Sequence, residues 1–308
     1  MKISDIFTQQ AQTFSFEFFP PKDQISAVEF GINVGQLMKL DPSFVTVTYG
    51  AGGSTQDKTF ELVDFFQNQL DLPTMAHYTC VNATKEKVEN DIRQLKEKNI
   101  ENLMLLRGDP PKGQKEFKAI PGGFKHAGEL IKYVSSHKEF DFCIGAAAYA
   151  EKHVEAASMD VDLQNLKKKV EAGACFLVTQ MFFDNNYYWD FLTKARNMGI
   201  ECRIIPGLIP ITNFKQIKKF AQLSGAKIPD KIIQKMEPYQ DNKAKMYQIG
   251  LDIAIDQARD LLAKGAPGIH LYTLNKSRAA VEMYEDLSKD FREIKHKYEQ
   301  SLTQKPMA

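Results

Sequence analysis

The 308-residue sequence predicts an α/β fold, a single (β/α)8 or TIM barrel. Two observations carry this reading. Eight short apolar runs of strand length alternate with longer stretches of helical period, and no Gly/Ser-rich linker interrupts the alternation. Eight strand–helix units with short connections point to such a barrel, for which about 250 residues is typical. A doubly wound open sheet is the other arrangement of such units, but its usual nucleotide-binding mark is missing. "GAGGST", Gly50 to Thr55, is not G-x-G-x-x-G in either direction.

The first strand is expected at "TFSFEF" from Thr13. Side chains alternate along a strand, so Phe14, Phe16 and Phe18 share one face while Ser15 and Glu17 share the other. Phenylalanines suit the layer beneath the surrounding helices, which leaves Glu17 pointing into the barrel near its mouth. Pro20 and Pro21 then end the strand, because neither can donate a ladder hydrogen bond. The second strand, "FVTVTY" from Phe44, ends in Thr46, Thr48 and Tyr49, and the third, "TMAHYTC" from Thr74, brings His77. Thr84 before "KEKVENDIRQLKEK" is read as a capping box, with Glu expected at the third position after it, opening a helix whose apolar face is Val88, Ile92 and Leu95.

The fourth strand, "NLMLLRG" from Asn102, leads into Arg107 and Asp109 on either side of Gly108, with two prolines following. The fifth is "DFCIGAAAY" from Asp141. In the helix after it, Leu163, Leu166 and Val170 face the core, while Asp162, Asn165 and Lys169 share one side. Lys168 and Lys169 either hold a phosphate or belong to a solvated helix face. Gly173 ends that helix before the sixth strand, "FLVTQMFF" from Phe176, which places Gln180 late. The seventh is "CRIIPGL" from Cys202. Gly265 ends the last long helix before the eighth, "GIHLYTL" from Gly268.

Composition excludes several classes. With 43% hydrophobic and 26% charged residues and a net charge of +1, nothing favours nucleic acid or an anionic membrane as partner. No apolar run approaches the roughly 20 residues of a membrane-spanning helix. The N-terminus "MKISDIFTQQ" lacks the layout of a signal peptide, so a cytoplasmic protein is expected. Cys80, Cys143, Cys175 and Cys202 are far apart in sequence and read as reduced, buried thiols. The histidines are scattered, without metal-ligand spacing, so no metal is expected, and no G-x-S-x-G elbow occurs.

The reaction site of such a barrel lies at the C-terminal ends of its strands. Burial in partly apolar surroundings favours the protonated form of a carboxyl, so Glu17 is a candidate general acid, with a structural ion pair as the alternative. Arg107 and Asp109 are either site residues or a strand-ending salt bridge, and His77 alone reads as a hydrogen-bonded core histidine. Such groups can bind and protonate a substrate but cannot carry electrons, so redox work would need a cofactor.

Taken together, "FSFEFFPPK", "VTVTYGAGGST", "AHYTC", "LLRGDPP", "AAYAEKH", "NLKKKVEAGA", "VTQMFFD", "IIPGLIPITNFKQIKKF" and "HLYTLNKS" resemble bacterial methylenetetrahydrofolate reductase in order and spacing. The resemblance runs from about residue 10 to about residue 290. It implies an FAD-dependent barrel enzyme that takes a hydride from NADH or NADPH and reduces 5,10-methylenetetrahydrofolate to 5-methyltetrahydrofolate. It implies Glu17 as the general acid and Asp109 as the charge between flavin and folate. For FAD it implies Tyr49, His77, Arg107, Gly108, Asp109, Ala127, Tyr149, His153, Ala156, Asp162, Asn165, Lys168 and Lys169. For the two substrates it implies Thr48, Asp109, Gln180, Gln216, Phe220 and Lys276. The sequence departs from the family's pattern at Gln56 and Lys276, where relatives often carry Arg, and at His126, where tyrosine is common. A homo-oligomer is expected, and no C-terminal regulatory domain. Another flavin barrel oxidoreductase, of the proline-dehydrogenase type, is the competing reading.

Overall fold

The computed structural model describes residues 1–50, 56–110, 113–114 and 116–288. The strands are β1 (Thr13–Phe18), β2 (Phe44–Val47), β3 (Thr74–Thr79), β4 (Asn102–Leu106), β5 (Cys143–Ala148), β6 (Phe176–Thr179), β7 (Arg203–Ile205), β8 (Gly207–Leu208) and β9 (Gly268–Tyr272). All pair in parallel, in the order β7-β6-β5-β4-β3-β2-β1-β9-β8. β7 and β8 are consecutive in the chain, so the two ends of that order meet at Pro206 and the sheet nearly closes into a barrel. The predicted seventh strand is therefore present but broken. Pro206 has no N–H to give a ladder; its carbonyl accepts from His270 N (3.0 Å), and Gly207 N donates to Thr179 Oγ1 (2.9 Å).

Helices lie between the strands: α1 (Ile3–Gln9), α2 (Gln24–Met38), α3 (Gln56–Asp64), α4 (Lys85–Glu97), α5 (Ala127–Ser136), α6 (Met159–Glu171), α7 (Asn185–Asn197), α8 (Phe214–Ser224), α9 (Asp230–Met236), α10 (Lys243–Ala263) and α11 (278–288). Polar residues begin most of them by accepting from the first-turn amides: Ser158 from Val161 N, Asp184 from Asn186 N, Asn213 from Gln216 N, Asn242 from Lys245 N. Thr84 caps α4 as expected, accepting from Lys87 N (3.1 Å), but as a simple cap. The third residue after it is Lys87, not an acid. The reciprocal box stands instead at α2, between Asp23 and Ser26. At the end of α10, Gly265 takes φ +92° and lets Ala266 N reach Leu261 O (2.9 Å).

The alternation read in β1 holds. Phe14 packs on Tyr284 of α11 (5.0 Å between ring centroids), and Phe18 packs on Phe30 of α2 (5.6 Å) and Phe66 (5.2 Å). These phenylalanines join the apolar layer between strands and helices. Ser15 and Glu17 turn inward. Below them the interior is closed by Phe44, Met75, Met104, Cys143, Phe176, Val178 and Ile205 together with Ile3 and Ile6 of α1. α1 is thus a plug across the N-terminal end of the barrel. Asn102 Oδ1 accepts from Ile3 N (2.7 Å), and the Arg203 guanidinium lies 4.7 Å from the Phe7 ring while donating to Gln10 O (3.0 Å). Among the described residues no helix is long and apolar enough to cross a membrane.

Candidate active site

Closing the N-terminal end leaves the mouth for chemistry, and Glu17 stands at its floor, 8% exposed. Its Oε2 lies 3.7 Å from His77 Nε2 on β3 and 3.9 Å from His270 Nε2 on β9. Both distances exceed a hydrogen bond, so neither histidine takes up the lone pairs of the carboxyl. Burial pushes the His77 imidazole down to about 4, against the opposing pull of Glu17, so His77 is neutral near pH 7 and forms no ion pair. His270 is fixed from below by Ser15, whose Oγ is 2.9 Å from its Nδ1. Tyr272, two residues on, donates to Thr179 O (2.7 Å); burial, with the Glu17 charge next, raises its hydroxyl far above the usual range. The same period that placed Ser15 and Glu17 inward places His270 and Tyr272 inward, so alternation could have found both.

Strand ends β4 and β5 make a polar side to the mouth. Arg107 is held by a two-pronged ion pair with Glu155, Nη2 to Oε1 at 2.7 Å, and lies 5.4 Å from the Phe117 ring. That pair, not an Arg107–Asp109 bridge, ends the strand; Asp109 is exposed. Gly108 between them takes φ +85°, and a Cβ there would stand 2.7 Å from Val81 and 2.9 Å from Thr79. Only glycine fits so close to the end of β3. Tyr149 meets His153 edge to face (4.7 Å), and burial, with Asp162 and Asp109 nearby, pushes its hydroxyl up to about 12. Asp162 accepts from His153 N (2.9 Å). Lys169 reaches under the β5 end to Ala147 O (2.8 Å), and burial lowers its ammonium to about 8, with Asp162 opposing.

The facing side is apolar. Met181, Phe183, Ile209, Ile211, Phe214 and Ile217 form one cluster, with Phe220 and Tyr272 packed against it. Gln180 opens this side, and its Oε1 accepts from Met181 N (3.0 Å). Gln216 is exposed in the first turn of α8, and Lys276 is exposed beyond β9.

The fold therefore brings Glu17, His77, Arg107, Asp109, Tyr149, His153, Asp162, Lys169, Gln180 and Phe220 to one end. Tyr49 differs: its ring packs on Tyr78 (5.1 Å), and its hydroxyl donates to Gln56 (2.8 Å). Gln56 also accepts from Lys87 Nζ (2.6 Å), so a base is already supplied beside this departure from the family's pattern. Asn165 and Lys168 are exposed on α6, Ala127 begins α5 with His126 at its cap, and Ala156 O accepts from Lys152 Nζ. Most of the expected loop Gly50 to Thr55 lies outside the described residues. Sequence spacing missed Glu155, whose link to Arg107 exists only once β4 and β5 are neighbours.

The residues fit a flavin. Thr46 Oγ1, Thr48 Oγ1 and His77 Nε2 are buried in the upper barrel without a hydrogen-bond partner among the described residues. A ring system carrying both donors and acceptors satisfies such atoms. Lys169 supplies buried cationic charge, and Arg107 and Lys168 stand nearer the surface.

Residues 2–288 match the family model of methylenetetrahydrofolate reductase. The chain is 38% identical over 284 residues to methylenetetrahydrofolate reductase (NADH) 1 of Arabidopsis thaliana, covering 89% of this chain and 48% of that one. It is 36% identical over 266 residues to 5,10-methylenetetrahydrofolate reductase of Escherichia coli K12, covering 85% and 86%. The chain thus spans about half the length of the plant relatives it matches. Among solved structures, a Clostridium thermocellum protein described as binding two copies of 5-methyl-5,6,7,8-tetrahydrofolic acid superposes with a TM-score of 0.62 at 15% identity, over 93% of this chain and 99% of that one, which shows a shared fold. The chain belongs to the methylenetetrahydrofolate reductase family.

Proposed function

We propose that this chain reduces 5,10-methylenetetrahydrofolate to 5-methyltetrahydrofolate in the cytoplasm, with NADH or NADPH as reductant and FAD as cofactor. The observation that supports it most is Glu17, a nearly buried carboxyl at the floor of a mouth that is polar on one side and apolar on the other. Bound FAD supplies what no side chain can, a two-electron carrier that accepts a hydride from one substrate and returns it to the next.

The protein's part is to bind, orient and move one proton. Lys169, with Arg107 and Lys168 nearby, answers the cofactor's phosphates. His77, kept neutral by burial, and Thr48 offer hydrogen bonds to its ring. Phe220 and its apolar cluster take the flat rings of nicotinamide and folate in turn, Gln180 supplies an amide to each, and Gln216 and Lys276 at the rim face the folate's outer part. Glu17 gives its proton to N10 of the folate as the bond from N10 to the methylene carbon breaks. The cation left at N5 and that carbon then takes the hydride, and Asp109 contributes negative charge that favours it. A positioned general acid of this kind contributes about 10²- to 10⁴-fold.

Glu17→Gln separates the two halves of the reaction. In anaerobic stopped flow, the variant is expected to bleach its flavin with NADH at near the parental rate and to lose folate reduction by about 10²-fold or more. Folate turnover at the parental rate would remove Glu17 as the acid.

A further inference from the structure

Cys143 and Cys175 stand 32 residues apart in sequence, yet their sulfurs lie 3.1 Å apart at the plugged end of the barrel. Cys143 begins β5 with its side chain inside, 3% exposed, among Ile3, Ile6 and Phe176. Cys175 precedes β6 and is exposed. Cys175 Sγ donates to Ile144 O (3.1 Å) and accepts from the Cys143 thiol, and that accepted bond holds the Cys175 thiol below its ordinary pKa. Cys80, by contrast, is buried, with its thiol pushed up to about 12 by burial.

We propose that Cys143 and Cys175 are a peroxide-reactive dithiol pair that closes reversibly to a disulfide. The sulfur of Cys175, the exposed residue of the pair, attacks one oxygen of hydrogen peroxide. The O–O bond breaks, water leaves, and Cys175 becomes a sulfenic acid as the peroxide is reduced. The Cys143 sulfur then attacks the Cys175 sulfur, the S–O bond breaks, and a second water leaves with the Cys143 proton. Two thiols and one peroxide give one disulfide and two waters. The sulfurs must approach by about 1 Å to reach bonding distance. The bond would close a loop around residues 144–174, the segment that carries Tyr149, His153, Asp162 and Lys169.

The test treats the full-length protein with a small excess of hydrogen peroxide, counts thiols after denaturation, and maps linked peptides without reduction. Titratable thiols are expected to fall from four to two, with Cys143 and Cys175 in one linked peptide, and to return with dithiothreitol. Cys175→Ser should keep its remaining thiols, whereas Cys143→Ser should stop at a sulfenic acid that dimedone traps on Cys175. Cys175→Ser changes only the exposed residue of the pair, so the test survives a Cys143 variant that fails to fold. Retention of all four thiols, a bond between Cys175 and Cys202, or an unchanged two-thiol loss in Cys175→Ser would overturn the proposal.

Discussion

His77 shows how one buried side chain sets a pH response. Its folded pKa, about 4, lies below the 6.5 of a free imidazole because burial penalises the charged form. Glu17 on β1 and His270 on β9 face it, the first favouring its charge and the second opposing it. The unfolded chain takes up a proton as pH falls through 6.5 while the folded chain does not, so stability falls with pH until the folded value is passed. Over that window the loss is about 3 kcal/mol. Urea titrations of His77→Gln and the parent are expected to diverge by about 2 kcal/mol between about pH 7 and about pH 5, the parent losing more. Parallel curves would mean that His77 is solvated in the folded protein. The sequence made part of this floor legible: a period of two put Ser15 and Glu17 inward, and the same period applied to "GIHLYTL" reaches His270 and Tyr272. The Cys143–Cys175 contact and the Arg107–Glu155 pair were not legible. They join residues brought close by strand order, which no local spacing encodes.

At the scale of elements, the apolar side of the mouth depends on how α10 meets the segment before α8. Gly250 lies on the face of α10 that touches this segment, and a Cβ added there would stand 1.8 Å from the Ile211 carbonyl oxygen. That neighbour is backbone, so it cannot rotate away. Gly250→Ala should push α10 and the 209–213 segment apart, costing about 1–3 kcal/mol as an overpacked contact does. Because Asn213 caps α8, and α8 carries Gln216 and Phe220, the same shift should raise the KM for folate while flavin content stays parental. Denaturant unfolding and steady-state kinetics on one preparation would check both; unchanged stability would show that α10 had room. Strand positions and several caps were readable here, since apolar runs and capping residues are local signals. The break at Pro206 was visible as a residue but not as a seam, because its meaning depends on β6 and β9 flanking it.

The whole molecule separates stability from chemistry along the barrel axis. The mouth holds exposed charge, orphaned polar atoms and the Glu17 carboxyl, while the opposite end is sealed by α1. Ile6 is 3% exposed against the interior layer, and Phe7 stands edge-on to Phe176 at 5.1 Å. Removing the branched side chain there leaves a cavity that the crowded layer of Phe44, Met75 and Met104 cannot collapse around. Ile6→Ala is therefore expected to cost about 2–5 kcal/mol. The plug and the mouth lie at opposite ends of the strands, so the cavity opens away from the site. FAD affinity, measured by fluorescence quenching well below the unfolding transition, should then stay within about twofold of the parent, roughly 0.4 kcal/mol. A larger loss of affinity would mean that the plug at one end tunes the geometry at the other, and that the barrel transmits strain along its strands instead of isolating the two ends.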